Sequence, residues 1–144
     1  MQVKIKKLHP RAILPSFATP GSAGADLSAL LDAPLVLQPG ERALIPSGIA
    51  MELPPAYECQ LRPRSGLAAK FGVTVLNAPG TIDSDFRGEL KALLINHGTE
   101  PFTINSGDRI AQLVVQPVIA VEYEEADSLS DTKRGEGGYG STGR

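Results

Sequence analysis

The stretch Ala43-Leu-Ile-Pro-Ser-Gly-Ile-Ala-Met-Glu-Leu-Pro-Pro55 decides the fold. Two short apolar runs, Ala43–Ile45 and Ile49–Leu53, are separated by Pro46-Ser-Gly48 and closed by Pro54-Pro55. Neither run is long enough for a helix of ordinary length, and Pro and Gly sit where tight turns need them. Both read as strands. The same grammar extends outward in each direction. Val3 and Ile5 alternate with Gln2, Lys4 and Lys6, and Leu35–Leu37 precedes Pro39-Gly40. Downstream come Tyr57–Leu61, Val73–Leu76, Leu90–Ile95, Phe102–Ile104 and Ile110–Ile119, each bounded by Gly, Pro, Asn or Asp. Many short strands at this spacing predict an all-β sandwich or barrel. Pro117, lacking an N–H, is expected at an edge or a bulge.

One helix fits the pattern. Ser65 is a candidate cap for Gly66–Phe71, with Gly72 closing it, which makes a helix of under two turns. The chain of 144 residues is read as one domain over 1–121. From Glu122 the apolar pattern fades into Glu, Asp, Ser and Gly, so 122–144 reads as a flexible C-terminal arm ending in a Gly-rich lid.

Composition narrows the function. A net charge of −2 argues against stable nucleic-acid binding and against a membrane-surface role. No apolar run approaches the length of a bilayer span. Met1–Lys6 lacks the apolar core of a signal peptide, and one cysteine, Cys59, permits no intrachain disulfide. The expected setting is reducing and cytoplasmic.

Chemistry is expected where the strand pattern breaks. Asp26, in Gly21-Ser-Ala-Gly-Ala-Asp-Leu-Ser28, is either a turn carboxylate bonded to its own backbone or a hard oxygen ligand suited to Mg2+. Arg62-Pro-Arg64-Ser65-Gly66 joins two guanidiniums and a hydroxyl to a helix start, which suits a phosphate as well as a plain cap. In Asn77–Glu89, Pro79-Gly80 fits the centre of a type II turn. Asp83 beside Phe86 is there either a loop acid paired with Arg87 or a general base beside a flat ligand. Gln112, polar within an apolar run, needs a buried partner or a ligand. Gly135, Gly137 and Gly140 spell G-x-G-x-x-G, but no strand precedes and no helix can follow, so no dinucleotide fold is implied. His9, His97 and Cys59 are too isolated in sequence to suggest a metal site.

In order, these segments resemble the trimeric dUTPase family, the dUTP pyrophosphatases. The resemblance rests on Ala23–Ser28, Arg62–Leu67, Gly80–Glu89, Gly107–Leu113 and Arg134–Gly143, and it covers nearly the whole chain. It implies a distorted β-jelly-roll, a homotrimer with shared active sites, and hydrolysis of dUTP to dUMP and pyrophosphate. Such an activity keeps uracil out of DNA and supplies dUMP for thymidylate synthesis.

The resemblance also implies roles. Asp83 becomes the base for water attacking the α-phosphorus. Asp26 holds Mg2+ through water. Arg64, Ser65, Gly66 and Gln112 lie along the phosphates. Asn77, Gly80, Thr81 and Ile82 read uracil, and Phe86 packs on the deoxyribose. Tyr139 stacks on the base, while Arg134, Gly140, Ser141 and Thr142 close over the γ-phosphate. The family more often carries Tyr at the position of Phe86 and Phe at that of Tyr139; both changes keep a ring. A dCTP deaminase shares the fold but uses a glutamate where this chain has Asp83. A non-catalytic nucleotide-binding trimer would be expected to have lost the base or the tail.

Overall fold

A computed structural model describes residues 1–138. It holds twelve strands and one short helix, and every strand pair is antiparallel. In chain order the strands are β1 (Lys4–Lys7), β2 (Ser16–Phe17), β3 (Ala25–Ser28), β4 (Leu35–Leu37), β5 (Arg42–Pro46) and β6 (Ile49–Glu52). Then follow β7 (Tyr57–Arg62), the helix α1 (Ser65–Phe71), β8 (Val73–Val75), β9 (Gly80–Ile82), β10 (Lys91–Asn96), β11 (Phe102–Ile104) and β12 (Arg109–Pro117). The largest sheet runs β2-β3-β12-β7-β9, and smaller sheets pair β5-β10-β8, β1-β6 and β11-β4.

Every strand expected from the sequence is present. β2, β3 and β9 are additional, and two of them fall in segments read as breaks. β3 is buried at all four positions, so it shows no alternation of polar and apolar residues. β9 begins on a glycine.

The central strand is β12. It pairs with β7 from Gln112 to Pro117 and with β3 from Arg109 to Leu113. Pro117 therefore lies beyond the end of β3. Its missing N–H faces an open side, which is the edge position a proline requires. Leu113, Leu61, Cys59 and Leu27 point inward from this sheet to meet Ile45, Leu94, Ile49 and Ile104 from the others. Asn96, the one fully buried side-chain amide among the described residues, is satisfied on both ends. Its Nδ2 donates to the Leu37 and Glu100 carbonyls at 2.9 and 2.8 Å, and its Oδ1 accepts from Gly98 N at 2.8 Å.

Two expectations about turns are corrected. Ser65 is not the helix cap: Arg64 occupies that position in extended geometry (φ −89°, ψ 127°), and no side chain caps the first turn. Ser65 lies one residue inside, so its hydroxyl is not drawn back onto the helix. Gly72 does close the helix in the left-handed region, at φ 68°. Nor do Pro79 and Gly80 form a type II turn. The Ala78–Pro79 bond is cis, and Gly80 has no positive φ but opens β9 opposite Leu61.

Gly72 and Gly98 lock the helix end to the β10–β11 connection. A Cβ at Gly98 would lie 2.2 Å from the Phe71 carbonyl oxygen, and one at Gly72 would lie 2.5 Å from Gly98 N. Backbone cannot yield there as a side chain could. Gly98→Ala is expected to cost about 3 kcal/mol in denaturant unfolding. Gly66→Ala meets nothing within 4 Å and is expected to change stability by under about 1 kcal/mol. Similar midpoint shifts in the two variants would contradict this account.

Candidate functional site

The residues singled out in the sequence gather in two places. The first is a cluster of charge on β3, on β12 and at Arg64, the residue before α1. Asp26 is only 6% exposed, and its carboxylate accepts three side-chain hydrogen bonds. Oδ1 accepts from Arg64 Nε at 3.2 Å and from Gln112 Nε2 at 3.2 Å, and Oδ2 accepts from Arg109 Nη1 at 3.0 Å. In place of a turn carboxylate bonded to its own backbone, Asp26 organises donors from two other segments, Arg64 and β12. Arg64 is fixed a second time, through Nη1 to the Arg109 carbonyl at 3.2 Å. Two guanidiniums against one carboxylate leave an excess positive charge, in a chain that is negative overall. Gln112 thus has the buried partner its position demanded.

Arg62 does not join this cluster. Gln60 Oε1 holds it by Nε at 3.0 Å and Nη2 at 2.7 Å, along the outer face of β7. Ser65 and Gly66 stand exposed in the first turn of α1, where backbone N–H groups have no partner within the helix.

The second place is a pocket of about 320 Å³. Asn77, Gly80, Thr81, Ile82, Asp83 and Phe86 line it, together with Leu44, Leu61, Glu89, Leu90, Lys91 and Leu93. The size matches the small end of ligand pockets. Gly80 is closely packed: a Cβ there would approach the Leu61 Cβ to 3.2 Å and the Asn77 amide to 3.4 Å. Phe86 is 44% exposed, and its ring lies across Gly88, where a Cβ would come within 2.5 Å of it.

Asp83 is exposed and makes no ion pair among the described residues. Arg87 is not its partner. That guanidinium donates to the Ser84 and Phe86 carbonyls at 2.7 and 2.9 Å, which shapes the loop and leaves the acid open.

The two places do not meet within one chain. Asp26 and Gln112 are paired across β3 and β12 on the outer face of the large sheet. Leu61, Gly80 and Ile82 belong to its inner face, on β7 and β9. From β3 to β9 the sheet spans three strand spacings, about 14 Å. Arg134 joins neither place: its Nε donates to the Gly137 carbonyl at 2.7 Å, within a local turn. Tyr139, Gly140, Ser141 and Thr142 lie outside the described residues. Arg109, Glu89, Leu90 and Lys91 were not singled out from the sequence. Glu89 ends the Gly80–Glu89 motif and Leu90 and Lys91 follow it; Arg109 lies inside Gly107–Leu113, yet only the fold brings it to Asp26.

A guanidinium cluster and a nucleoside-sized pocket with a free carboxylate, on a β-jelly-roll, define a nucleotide-processing protein. The chain belongs to the dUTPase family, whose model matches residues 11–143. It is an enzyme of that family, hydrolysing dUTP. A deoxyuridine 5'-triphosphate nucleotidohydrolase of Nautilia profundicola is 55% identical over the full length of both chains. One from Anaplasma marginale is 59% identical over 90% of this chain and 88% of its own. The solved structure of Staphylococcus bacteriophage 80alpha dUTPase with dUPNHPP superposes with a TM-score of 0.89 at 26% identity, covering 99% of each chain. A dUTPase from phage phi11 of S. aureus, solved with a structural Mg(II) ion, shares the fold at TM-score 0.80 and 24% identity, over 89% of this chain and 98% of its own.

Cys59 takes no part in the site. It is fully buried, and burial pushes its thiol up to about 11 from 9.0. The unfolded thiol ionises first as pH rises, so this contribution to stability is whole below about pH 9 and is lost by about pH 11. The native enzyme at pH 8 is expected to resist an aromatic disulfide reagent and to react fully once denatured. Prompt reaction of the native thiol would contradict this burial.

Proposed function

We propose that the chain hydrolyses dUTP at its α-phosphorus, with Asp83 as general base. The observation that carries this is the open Asp83 carboxylate on the rim of a nucleoside-sized pocket. Water attacks phosphorus, one of its protons passes to Asp83, and the bond to the β-phosphate oxygen breaks to release pyrophosphate and dUMP. The pocket residues Asn77, Gly80, Thr81 and Ile82 hold uracil, and the Phe86 ring, held against Gly88, excludes a 2′-hydroxyl by bulk. Arg64, Ser65, Gly66 and Gln112 take the phosphates. Open space beside Gly66 supports close approach of a ligand there. Arg134, Tyr139, Gly140, Ser141 and Thr142 close over the ligand as a lid.

Mg2+ fits this donor set in one way. Among the described residues no three His, Cys, Asp or Glu side chains are grouped to hold a metal, and Asp26 already accepts three donors. The residues suit an ion carried by phosphates and water, with Asp26 reaching it through that water. Such an ion supplies neutralisation of the triphosphate and of the departing pyrophosphate.

The separation of the two places supports a homotrimer in which one chain's pocket meets another's arginine cluster. Exposed apolar side chains on the arm, including Tyr123 at 93% and Leu129 at 90%, support the arm leaving the 1–121 body for a neighbour. No helix among the described residues is long and apolar enough to cross a membrane. In the cytoplasm the enzyme would keep uracil out of DNA and supply dUMP for thymidylate synthesis.

The test is pyrophosphate release from dUTP, dCTP, dTTP and UTP. Selectivity for dUTP over all three is expected, with chelation of divalent cations lowering the rate. Asp83→Asn is expected to lose about 10²- to 10⁴-fold in kcat with the fold intact. A chain ending before Arg134 should also lose most activity. Equal turnover of UTP and dUTP would remove Phe86 from sugar discrimination, and an active Asp83→Asn variant would remove the base.

A further inference from the structure

Arg109 has no role in the reaction outlined above, yet among the described residues it alone donates a hydrogen bond to the second oxygen of Asp26. Strand periodicity alone would forbid this. Residues 109 and 112 are an odd number apart, so a regular strand would send their side chains to opposite faces. The register of β12 against β3 slips between Arg109 and Ala111: Arg109 faces Ser28, Ala111 faces Leu27, and Gln112 faces Asp26. One extra residue is therefore accommodated. Ile110 and Ala111 are both buried in the core, at 1% and 0% exposure, and Arg109 emerges on the same face as Gln112. From there it is a diagonal neighbour of Asp26.

The approach to this bulge is itself fixed. Ala29 N donates to the Asp108 carbonyl and Gly107 N to the Ala29 carbonyl, both at 2.8 Å, and Asp108 Oδ2 accepts from Asn105 N at 2.8 Å. The start of β12 is thus tied to the end of β3 by backbone bonds that do not involve the Arg109 side chain.

We propose that Arg109 is a positioning residue for the phosphate end of the site. Acting through Asp26, it sets the direction from which Arg64 and Gln112 meet phosphate. With Oδ2 held, the carboxylate cannot turn about its own axis, and Oδ1 presents a fixed acceptor to Arg64 Nε and Gln112 Nε2. The guanidinium also offsets the one negative charge in a place meant for anions. This rests on the reading that Arg64 and Gln112 take the phosphates. Arg109 is 55% exposed through its side chain, so its loss removes little packing.

The experiment is a double-mutant cycle of Arg109→Ala with Asp26→Asn, with Arg109→Lys alongside. Affinities for the α,β-imido analogue of dUTP, inorganic tripolyphosphate and 2′-deoxyuridine are measured with kcat/KM for dUTP and the thermal midpoint. Arg109→Ala is expected to lower kcat/KM and analogue affinity by about tenfold or more. It should leave 2′-deoxyuridine affinity and the midpoint unchanged, and Arg109→Lys should recover most of the loss. In the Asp26→Asn background the further loss should be under about twofold, because the two residues act as one unit. An equal loss in both backgrounds, unchanged phosphate affinity, or parallel weakening of 2′-deoxyuridine would each overturn the proposal. If the wild-type chain failed to turn over dUTP, the reading of function would fall. The cycle run on tripolyphosphate affinity would still decide the role of Arg109.

Discussion

The structure depends on β12 being paired on both sides at once. Hydrogen bonds to β7 and β3 join segments from opposite ends of the chain, and the register they impose places Gln112 directly between Asp26 and Arg62. Leu113, one residue on, turns to the core between Ala25 and Leu61. The same strand thus delivers its amide to one face and its apolar mass to the other. A slip of one residue would bury Gln112 and expose Leu113. The apolar core and the charge cluster are therefore not independent, since either one, by being satisfied, fixes the other.

Electrostatics on the outer face follow from that register. Asp26 is buried without cost from an unpaired charge because three donors converge on it. Those donors arrive from β12 and from the residue that starts α1. The helix has no side-chain cap, because Arg64, the residue in the capping position, carries only donors and cannot accept from the first-turn N–H groups; its guanidinium goes instead to a carboxylate 38 residues earlier in the chain. An uncapped first turn beside a net positive cluster is a consistent pair of features for a place that receives anions.

Much of this was legible in the sequence. Short apolar runs between Pro and Gly mark the strands, Gly72 marks the helix end, and the polar break at Asn77–Glu89 marks the pocket. What escaped did so for identifiable reasons. β3 is buried on both faces, which erases the alternation that betrays a strand. Pro79-Gly80 matches a turn locally, whereas Gly80 is taken into β9 opposite Leu61 by pairing with β7. The cap was misassigned because local preference favours serine, whereas a long-range ion pair settles what Arg64 does. Arg109 was hidden by the bulge, since counting along a strand puts it on the wrong face. The roles of Tyr139 through Thr142 rest on resemblance alone.

The two halves of the site stand on opposite faces of one sheet, and this has a consequence for inheritance. If a complete site draws its pocket from one chain and its guanidiniums from another, damage at Asp83 and damage at Arg64 are not equivalent lesions. A cell carrying one allele of each kind could assemble mixed oligomers in which some sites receive two sound halves. Two null alleles would then complement, and a chain defective in one half could lend the other to its neighbours.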